Sequence, residues 1–260
     1  MKLSGNTVLI TGGTSGIGYE LAIQFLQRGN TVIVTGRDMS RLEQTQRRLP
    51  GIHIYQSDVR DPQEIASLFD SAIQNFPGLN VLINNAGIMR KIALLNQGQS
   101  LGDINGEIDT NLTGMVRIVT QFLPHLKTQH DPVIVNVSSG LAFVPLPIAP
   151  IYCAAKAGVH SFTQSLRVQL KNTKIKVFEL APPMTRTGLF SGQIRPEDVQ
   201  GIPMMDVRKM VREAMRGLEK DHLEIRPGLS NVLKLLSRVA PHLALRRLSK
   251  TAVAIEVRAT

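Results

Sequence analysis

Tyr152 and Lys156 stand four residues apart in Tyr152-Cys-Ala-Ala-Lys156, a segment that reads as helix, so their side chains share one face. A phenol beside an ammonium is a proton-transfer pair. The cation favours phenolate and is expected to bring the tyrosine pKa from about 10 toward neutrality. Ser139 precedes the tyrosine by thirteen residues, in Asn136-Val-Ser-Ser139-Gly140 at the end of an apolar run. A hydroxyl at the carboxyl end of a strand faces the crevice where open α/β sheets bind ligands. Tyr-x-x-x-Lys alone is a common accident of helices. It gains weight from Thr11-Gly-Gly-Thr-Ser-Gly-Ile-Gly18 after the first apolar run and from Asn84-Asn-Ala-Gly87 after the fourth.

In the first of these segments Gly12 makes the tight turn out of the strand and Gly16 lets a phosphate approach the backbone. Gly18 lets the following helix press on the sheet. The helix N-terminus then offers free N–H groups and positive partial charge to a pyrophosphate. The second apolar run ends Thr35-Gly36-Arg37-Asp38, with Gly36 where an NAD-preferring fold usually carries an acid for the ribose hydroxyls. Arg37 follows, and a guanidinium binds a 2′-phosphate through a charge-assisted fork. NADP(H) is therefore expected over NAD(H), unless Asp38 takes the acidic role by a one-residue shift.

These groups need a scaffold, and short apolar runs supply it. Thr7–Thr11, Thr31–Thr35, Ile52–Gln56, Val81–Asn84, Val133–Ser138 and Ile175–Leu180 are rich in Val and Ile. None alternates along its whole length, as expected of strands covered on both faces. Helix-length segments such as Ile17–Arg28 and Gln63–Gln74 separate them, and Asp61-Pro62 supplies an N-cap and a helix-starting proline to the second. The alternation predicts an α/β fold, a doubly wound parallel sheet (a Rossmann fold) with helices on both faces, in a single domain over residues 1–260. Residues 182–205, rich in Pro and Gly, read as a long functional loop. With the helix expected over 206–220 they form a substrate region, 182–225. Residues 226–260 read as a basic helical segment, with a helix over 229–239 that Pro241 ends or kinks.

Composition narrows the function classes. With 260 residues, 43% of them hydrophobic, the chain is long enough for a full core, and no eighteen-residue apolar run exists to span a membrane. The start does not read as a signal peptide, and the lone Cys153 excludes an intrachain disulfide, so a soluble cytoplasmic protein is expected. Cys153 itself reads as a small packed residue. The six histidines show no metal-ligand spacing and no accompanying carboxylate pair, so no metal is expected. The net charge of +10 is uneven: residues 226–260 hold seven basic side chains against Glu256 alone. Such a tail attracts nucleic acid, an anionic membrane or an acidic partner. Without tryptophan, with 4% aromatics and with no reading motif, nucleic acid is not expected. Leu229, Val232, Leu233, Leu236 and Ala240 share one helical face opposite Lys234 and Arg238. The segment 229–250 is expected to pack on its own domain or a neighbouring subunit, or to attach peripherally to anionic lipid.

In combination these motifs resemble the short-chain dehydrogenase/reductases, over residues 5–190. The family's T-G-x-x-x-G-x-G is present as Thr11–Gly18, its Asp-Val pair after the third strand as Asp58-Val59, and its N-N-A-G as Asn84–Gly87. The resemblance implies cofactor binding by Gly12, Thr14, Ser15, Gly16, Ile17, Gly18, Arg37, Asp58, Val59, Asn85, Ala86, Gly87, Tyr152, Lys156, Pro182 and Thr187. Within that set Asp58 meets the adenine amino group and Thr187 the nicotinamide amide. It also implies a catalytic set of Asn111, Ser139, Tyr152 and Lys156. Tyr152 is then the general acid/base, and Ser139 orients and polarises the carbonyl oxygen. Lys156 holds nicotinamide ribose hydroxyls and tunes the tyrosine, while Asn111 anchors a proton-relay water. Pro183 stands where the family usually has glycine, which stiffens that turn. The segment Glu179-Leu-Ala-Pro-Pro183 and the basic helical end resemble the bacterial DltE-like oxidoreductases. A homodimer through the helices around 103–127 and 152–170 is expected from the same resemblance. The family's tetramer-building terminal strand with Asp-Gly is replaced here by the basic segment.

Substrate contacts in this family come from the loop after the serine, here Leu141, Ala142, Phe143, Val144 and Leu146, and from the segment after the sixth strand. The second group comprises Met184, Leu189, Phe190, Met204 and Met205. Leu141, Phe143, Met184, Leu189 and Phe190 are the candidate substrate residues, and they suit an apolar carbonyl compound or secondary alcohol. Arg186 and Arg195 leave a carboxylate substrate open. The expected function is hydride transfer between NADP(H) and such a substrate. The alternative is a non-catalytic NADP(H)-binding sensor or scaffold acting through the basic tail, against which the presence of all four catalytic residues argues.

Overall fold

The Val- and Ile-rich runs form one parallel sheet because both of its faces are covered. The computed structural model describes residues 1–94, 100–187, 194, 196–199 and 201–251. Its strands are β1 (Thr7–Thr11), β2 (Thr31–Gly36), β3 (His53–Gln56), β4 (Leu79–Asn84), β5 (Val133–Val137), β6 (Lys176–Leu180) and β7 (Glu224–Ile225). They lie in the order β3-β2-β1-β4-β5-β6-β7, and every pairing is parallel. The helices are α1 (Gly16–Leu26), α2 (Met39–Arg48), α3 (Pro62–Asn75), α4 (Leu101–Ile104), α5 (Gly106–Ile108), α6 (Gly114–Thr128), α7 (Pro150–Gln169), α8 (Val207–Glu219), α9 (Ser230–Val239) and α10 (Pro241–Thr251).

Successive strand residues point to opposite faces, and each face has its own apolar cover. On one side Val8, Ile10, Val32, Val34, Val81 and Ile83 pack under Leu21 and Phe25 of α1 and Met210, Ala214 and Leu218 of α8. On the other, Leu9, Ile33, Leu82 and Ile134 meet Ile65 and Leu68 of α3 and Ile118 and Phe122 of α6. Helix α3 starts as the sequence predicts: the Asp61 carboxylate accepts from the N–H groups of Gln63 (2.7 Å) and Glu64 (3.3 Å), and Pro62 opens the first turn. The strand order reverses direction between β1 and β4. A crevice therefore opens at their carboxyl ends, the place where open α/β sheets bind ligands.

Three features depart from the sequence expectations. A seventh strand, the pair Glu224–Ile225, extends the sheet although no apolar run marks it. It is held by backbone bonds from Glu179 N–H to Leu223 O (2.9 Å) and from Ala181 N–H to Ile225 O (2.8 Å). Helix α9 ends at Val239, ahead of Pro241 as expected, but Pro241 also begins a further helix, because its missing N–H costs nothing in a first turn. On α9 the expected facing is partly reversed: Lys234 is buried at 7% exposure, whereas Leu229 and Val232 stand exposed. After β6, Met205 N–H bonds to Met184 O (2.8 Å) and Arg186 N–H to Met205 O (3.0 Å).

Candidate active site

The turn from β1 into α1 is built against the loop that follows β4. Gly12 has φ +67°, and a Cβ there would lie 2.8 Å from Ala86 Cα, so no other residue fits without shifting backbone. The Thr11 hydroxyl accepts from the N–H groups of Asn85 (3.0 Å) and Ala86 (3.1 Å), while the Asn85 amide donates to the carbonyls of Thr11 and Gly12, both at 3.0 Å. Asn84–Gly87 thus pins the glycine turn, which is a physical reason for both motifs to occur together.

A cavity of about 550 Å³ opens beside this turn. Gly12, Thr14, Ser15, Gly16, Ile17, Arg37, Asp58, Val59, Asn85, Ala86, Gly87, Tyr152, Lys156, Pro182 and Thr187 all line it. Of the expected cofactor residues only Gly18 does not, because it lies inside α1 beneath the Asn85 side chain. These residues fit the pyrophosphate of a nicotinamide dinucleotide. The first turn of α1 carries no acid, and the Ser15 hydroxyl makes no capping bond, so it and the leading N–H groups of α1 are available to a phosphate. Gly16 has φ +57°, and a Cβ there would lie 3.1 Å from Thr187 Cβ, filling the gap between helix and loop.

Asp58 departs from expectation in one respect. It faces the cavity, but Arg60 binds its carboxylate with Nε at 3.0 Å and Nη2 at 2.6 Å. Partial burial pushes the group up, and the hydrogen bonds and charge of Arg60 outweigh that, so its pKa lies below the usual carboxylate range.

Tyr152 and Lys156 lie on one face of α7, both buried, and both reach the cavity. Their electrostatics correct the sequence expectation. The Lys156 ammonium donates to Val137 O at 2.8 Å and stands 5.8 Å from the centre of the tyrosine ring. Burial pushes the Tyr152 pKa well above its ordinary 10, and the hydrogen bond with the Ser139 side chain offsets this only in part. Burial thus favours the protonated phenol, opposite to the direction expected from the lysine alone. The same enclosure lowers Lys156 to about 8. It raises the neighbouring Cys153 thiol to about 11, which suits a packed and unreactive cysteine.

Ser139 stands at the end of β5, where its Oγ accepts from Leu141 N–H at 3.1 Å. Asn111 lies in a π-helical turn, Asp109–Thr113. Its side chain accepts from Ile88 N–H (2.8 Å) and donates to Ile88 O (2.9 Å), so its first task is to clamp the wall beyond Gly87.

Of the candidate substrate residues, Leu141 and Met184 line the cavity. Phe143 does not: its ring stands edge-on to His160 at 5.1 Å, beneath the Lys234 ammonium at 4.5 Å. Leu189 and Phe190, with Arg195, lie outside the described residues. An apolar cluster of Met89, Leu146, Ile148 and Val199, joined by Met184 and Met204, packs around Tyr152 on the substrate side.

A second polar cluster lies behind the serine turn, and the sequence reading missed it. The Ser138 hydroxyl donates to Glu179 Oε1 at 2.5 Å, and His160 Nδ1 meets Glu179 Oε2 at 2.7 Å. Lys234 Nζ lies 3.0 Å from His160 Nε2 and 3.3 Å from Glu224. The ligand atoms of His160, Glu179 and Glu224 fall within 4.8 Å of one another, so one histidine does have a carboxylate pair beside it. The lysine ammonium bonded to this group supplies the positive charge there. Only Glu179, within a motif noted for other reasons, carried any signal in the sequence.

Comparison with known proteins agrees with this geometry. The family model for short chain dehydrogenases matches residues 6–198. DltE of Bacillus subtilis (strain 168), described as an uncharacterized oxidoreductase, is 43% identical over 227 residues, 86% of this chain and 89% of that protein. A short chain dehydrogenase from Burkholderia cenocepacia J2315, solved in complex with NADP, superimposes with a TM-score of 0.81 at 24% identity, covering 95% of this chain and 99% of that one. A Burkholderia phymatum short chain dehydrogenase/reductase in complex with NAD gives 0.79 at 22% identity, covering 90% and 94%.

Proposed function

Because the chain belongs to the short-chain dehydrogenase/reductase family and is an oxidoreductase acting with NAD(P)(H), we propose that it transfers hydride between NADP(H) and an apolar carbonyl compound or the matching secondary alcohol. The observation that carries this reading is the meeting of Ser139, Tyr152 and Lys156 in the wall of the cavity that begins at the glycine turn. The nicotinamide supplies the hydride when bound. Tyr152 holds a proton to high pH and gives it to the substrate oxygen as that oxygen gains charge. Ser139, already bonded to the phenol, orients and polarises the carbonyl. The nearby Lys156 cation favours the negative charge left on the tyrosine and is available to ribose hydroxyls. The apolar wall of Leu141, Met184 and their neighbours supports an apolar substrate. A screen of ketones and aldehydes that follows NADPH absorbance tests the assignment, and silence across the whole set would favour a dinucleotide sensor.

Cofactor preference rests on the end of β2. Gly36 leaves that position without an acid, and a Cβ there would meet the Thr14 side chain at 3.3 Å. Asp38, the other acidic candidate, caps α2 by accepting from Arg41 N–H at 3.2 Å and pairs with the Arg41 guanidinium at 3.5 Å. Arg37 and Arg41 both line the cavity. A charge-assisted bond to a 2′-phosphate contributes about 1.5–3 kcal/mol, so Arg37→Gln should lower kcat/KM with NADPH about 10- to 150-fold and leave NADH kinetics nearly unchanged. Equal losses with both cofactors would count against the assignment. Small exposed residues along α7, Ala154, Ala157 and Ser161, support a homodimer through α6 and α7. The lone buried Cys153 supports a reducing, cytoplasmic setting.

A further inference from the structure

Helices α9 and α10 carry a surface that catalysis does not use. Leu229, Val232, Leu235, Val239, Leu243 and Leu245 are all exposed, a majority of the large apolar side chains so placed among the described residues. On α9, Val232, Leu235 and Val239 recur at helical spacing, and the last two are 61% and 68% exposed. The helix is fastened by its polar side instead: Lys234 reaches inward to Glu224 and His160. A contiguous apolar stripe of this kind marks a surface that something covers.

Charge decides between occupants. Residues 226–251 contain Arg226, Lys234, Arg238, Arg246, Arg247 and Lys250 and no Asp or Glu. Arg226 and Lys234 are engaged by Glu224, whereas the side chains of Arg238, Arg246 and Lys250 stand exposed among the apolar residues. A second copy of this chain would set the same cations against each other. An anionic lipid surface answers both features, with headgroups for the cations and an acyl boundary for Val and Leu. We propose that α9 and α10 dock the protein peripherally on an anionic membrane. The same helices border the substrate side of the cavity. Leu248 packs on the buried cluster that includes Met89, Leu146 and Ile148, and a Cβ on Gly140, next to Ser139, would lie 2.7 Å from Ser230 Oγ.

The test is sedimentation of the full chain with vesicles of phosphatidylcholine alone and of phosphatidylcholine mixed with phosphatidylglycerol. The protein is expected to pellet with the anionic vesicles at low salt, to stay in solution with the neutral ones, and to be released by high salt. Each exposed cation near the surface changes partition about fivefold, so Arg246→Gln with Lys250→Gln should weaken binding about 25-fold. Leu235→Ser with Val239→Ser should abolish pelleting and leave the thermal melt in place. Failure to pellet with anionic vesicles overturns the proposal, as does equal pelleting with neutral ones. A dimer that Leu235→Ser with Val239→Ser disperses, without any vesicle binding, would assign the face to a second copy and overturn it too. The readout is independent of turnover, so its failure leaves the oxidoreductase reading intact.

Discussion

Tyr152→Phe is expected to lower kcat for carbonyl reduction by about 10²- to 10⁴-fold, the usual contribution of a positioned proton donor, and to leave the cofactor dissociation constant essentially unchanged. The phenylalanine ring keeps the packing against Met89, Leu146 and Ile148, and the contact removed is the hydroxyl's bond with Ser139. Stopped-flow turnover and fluorescence titration of NADPH separate the two effects. Survival of more than about a tenth of the rate would remove Tyr152 from the chemistry, since general acid–base contributions are rarely so small. The pH profile supplies a second check. Lys156, lowered by burial to about 8, is charged below that pH and neutral above it. The charge favours the phenolate left after proton donation, so kcat/KM for reduction should fall as pH rises through about 8. A profile flat through that region would separate Lys156 from the tyrosine.

The geometry behind this prediction was only half legible in the sequence. Four-residue spacing on a helix places Tyr152 and Lys156 on one face whatever surrounds them, so their adjacency could be read directly. Their ionisation could not, because burial is a property of the assembled fold. The apolar cluster around Tyr152 is drawn from Met89, Leu146 and Val199, which the sequence keeps far apart. Strands β1, β2, β4 and β5 were legible for the opposite reason: each is a run rich in Val, Ile and Leu whose two covered faces remove any regular alternation. Glu224–Ile225 had no such signal, since two residues pair through backbone groups that every residue carries. Phe143 was expected at the cavity but does not line it, because an aromatic residue after the serine suits a core as well as a pocket. What turns it away is a contact with His160 and Lys234, supplied by helices later in the chain.

Lys234→Met should destabilise the protein by about 1.5–3 kcal/mol, the contribution of a partly buried hydrogen bond to a charged group, since Glu224 keeps its pair with Arg226. For a chain of this size that corresponds to a fall in Tm of about 3 to 12 °C. A helical wheel assigns Lys234 to solvent, and a surface lysine would change stability by no more than about 0.5 kcal/mol on substitution. The structure instead puts its ammonium 3.0 Å from His160 Nε2 and 3.3 Å from Glu224, over the Phe143 ring. With the ammonium donating to Nε2, the Nδ1–H of His160 donates to Glu179, whose other oxygen accepts from Ser138. That chain ends one residue from Ser139. Loss of the lysine should therefore raise KM for the carbonyl substrate as well as lower Tm, an effect that packing loss on α9 alone would not produce. Thermal melts of Lys234→Met, Glu224→Gln and the double variant form a cycle that isolates the pair. The double variant should lose less than the sum of the singles, because removing Glu224 takes away the charge that Lys234 compensates. Strict additivity, or a Lys234→Met melt equal to that of an exposed control such as Arg238→Met, would show that the ammonium is not part of a coupled network.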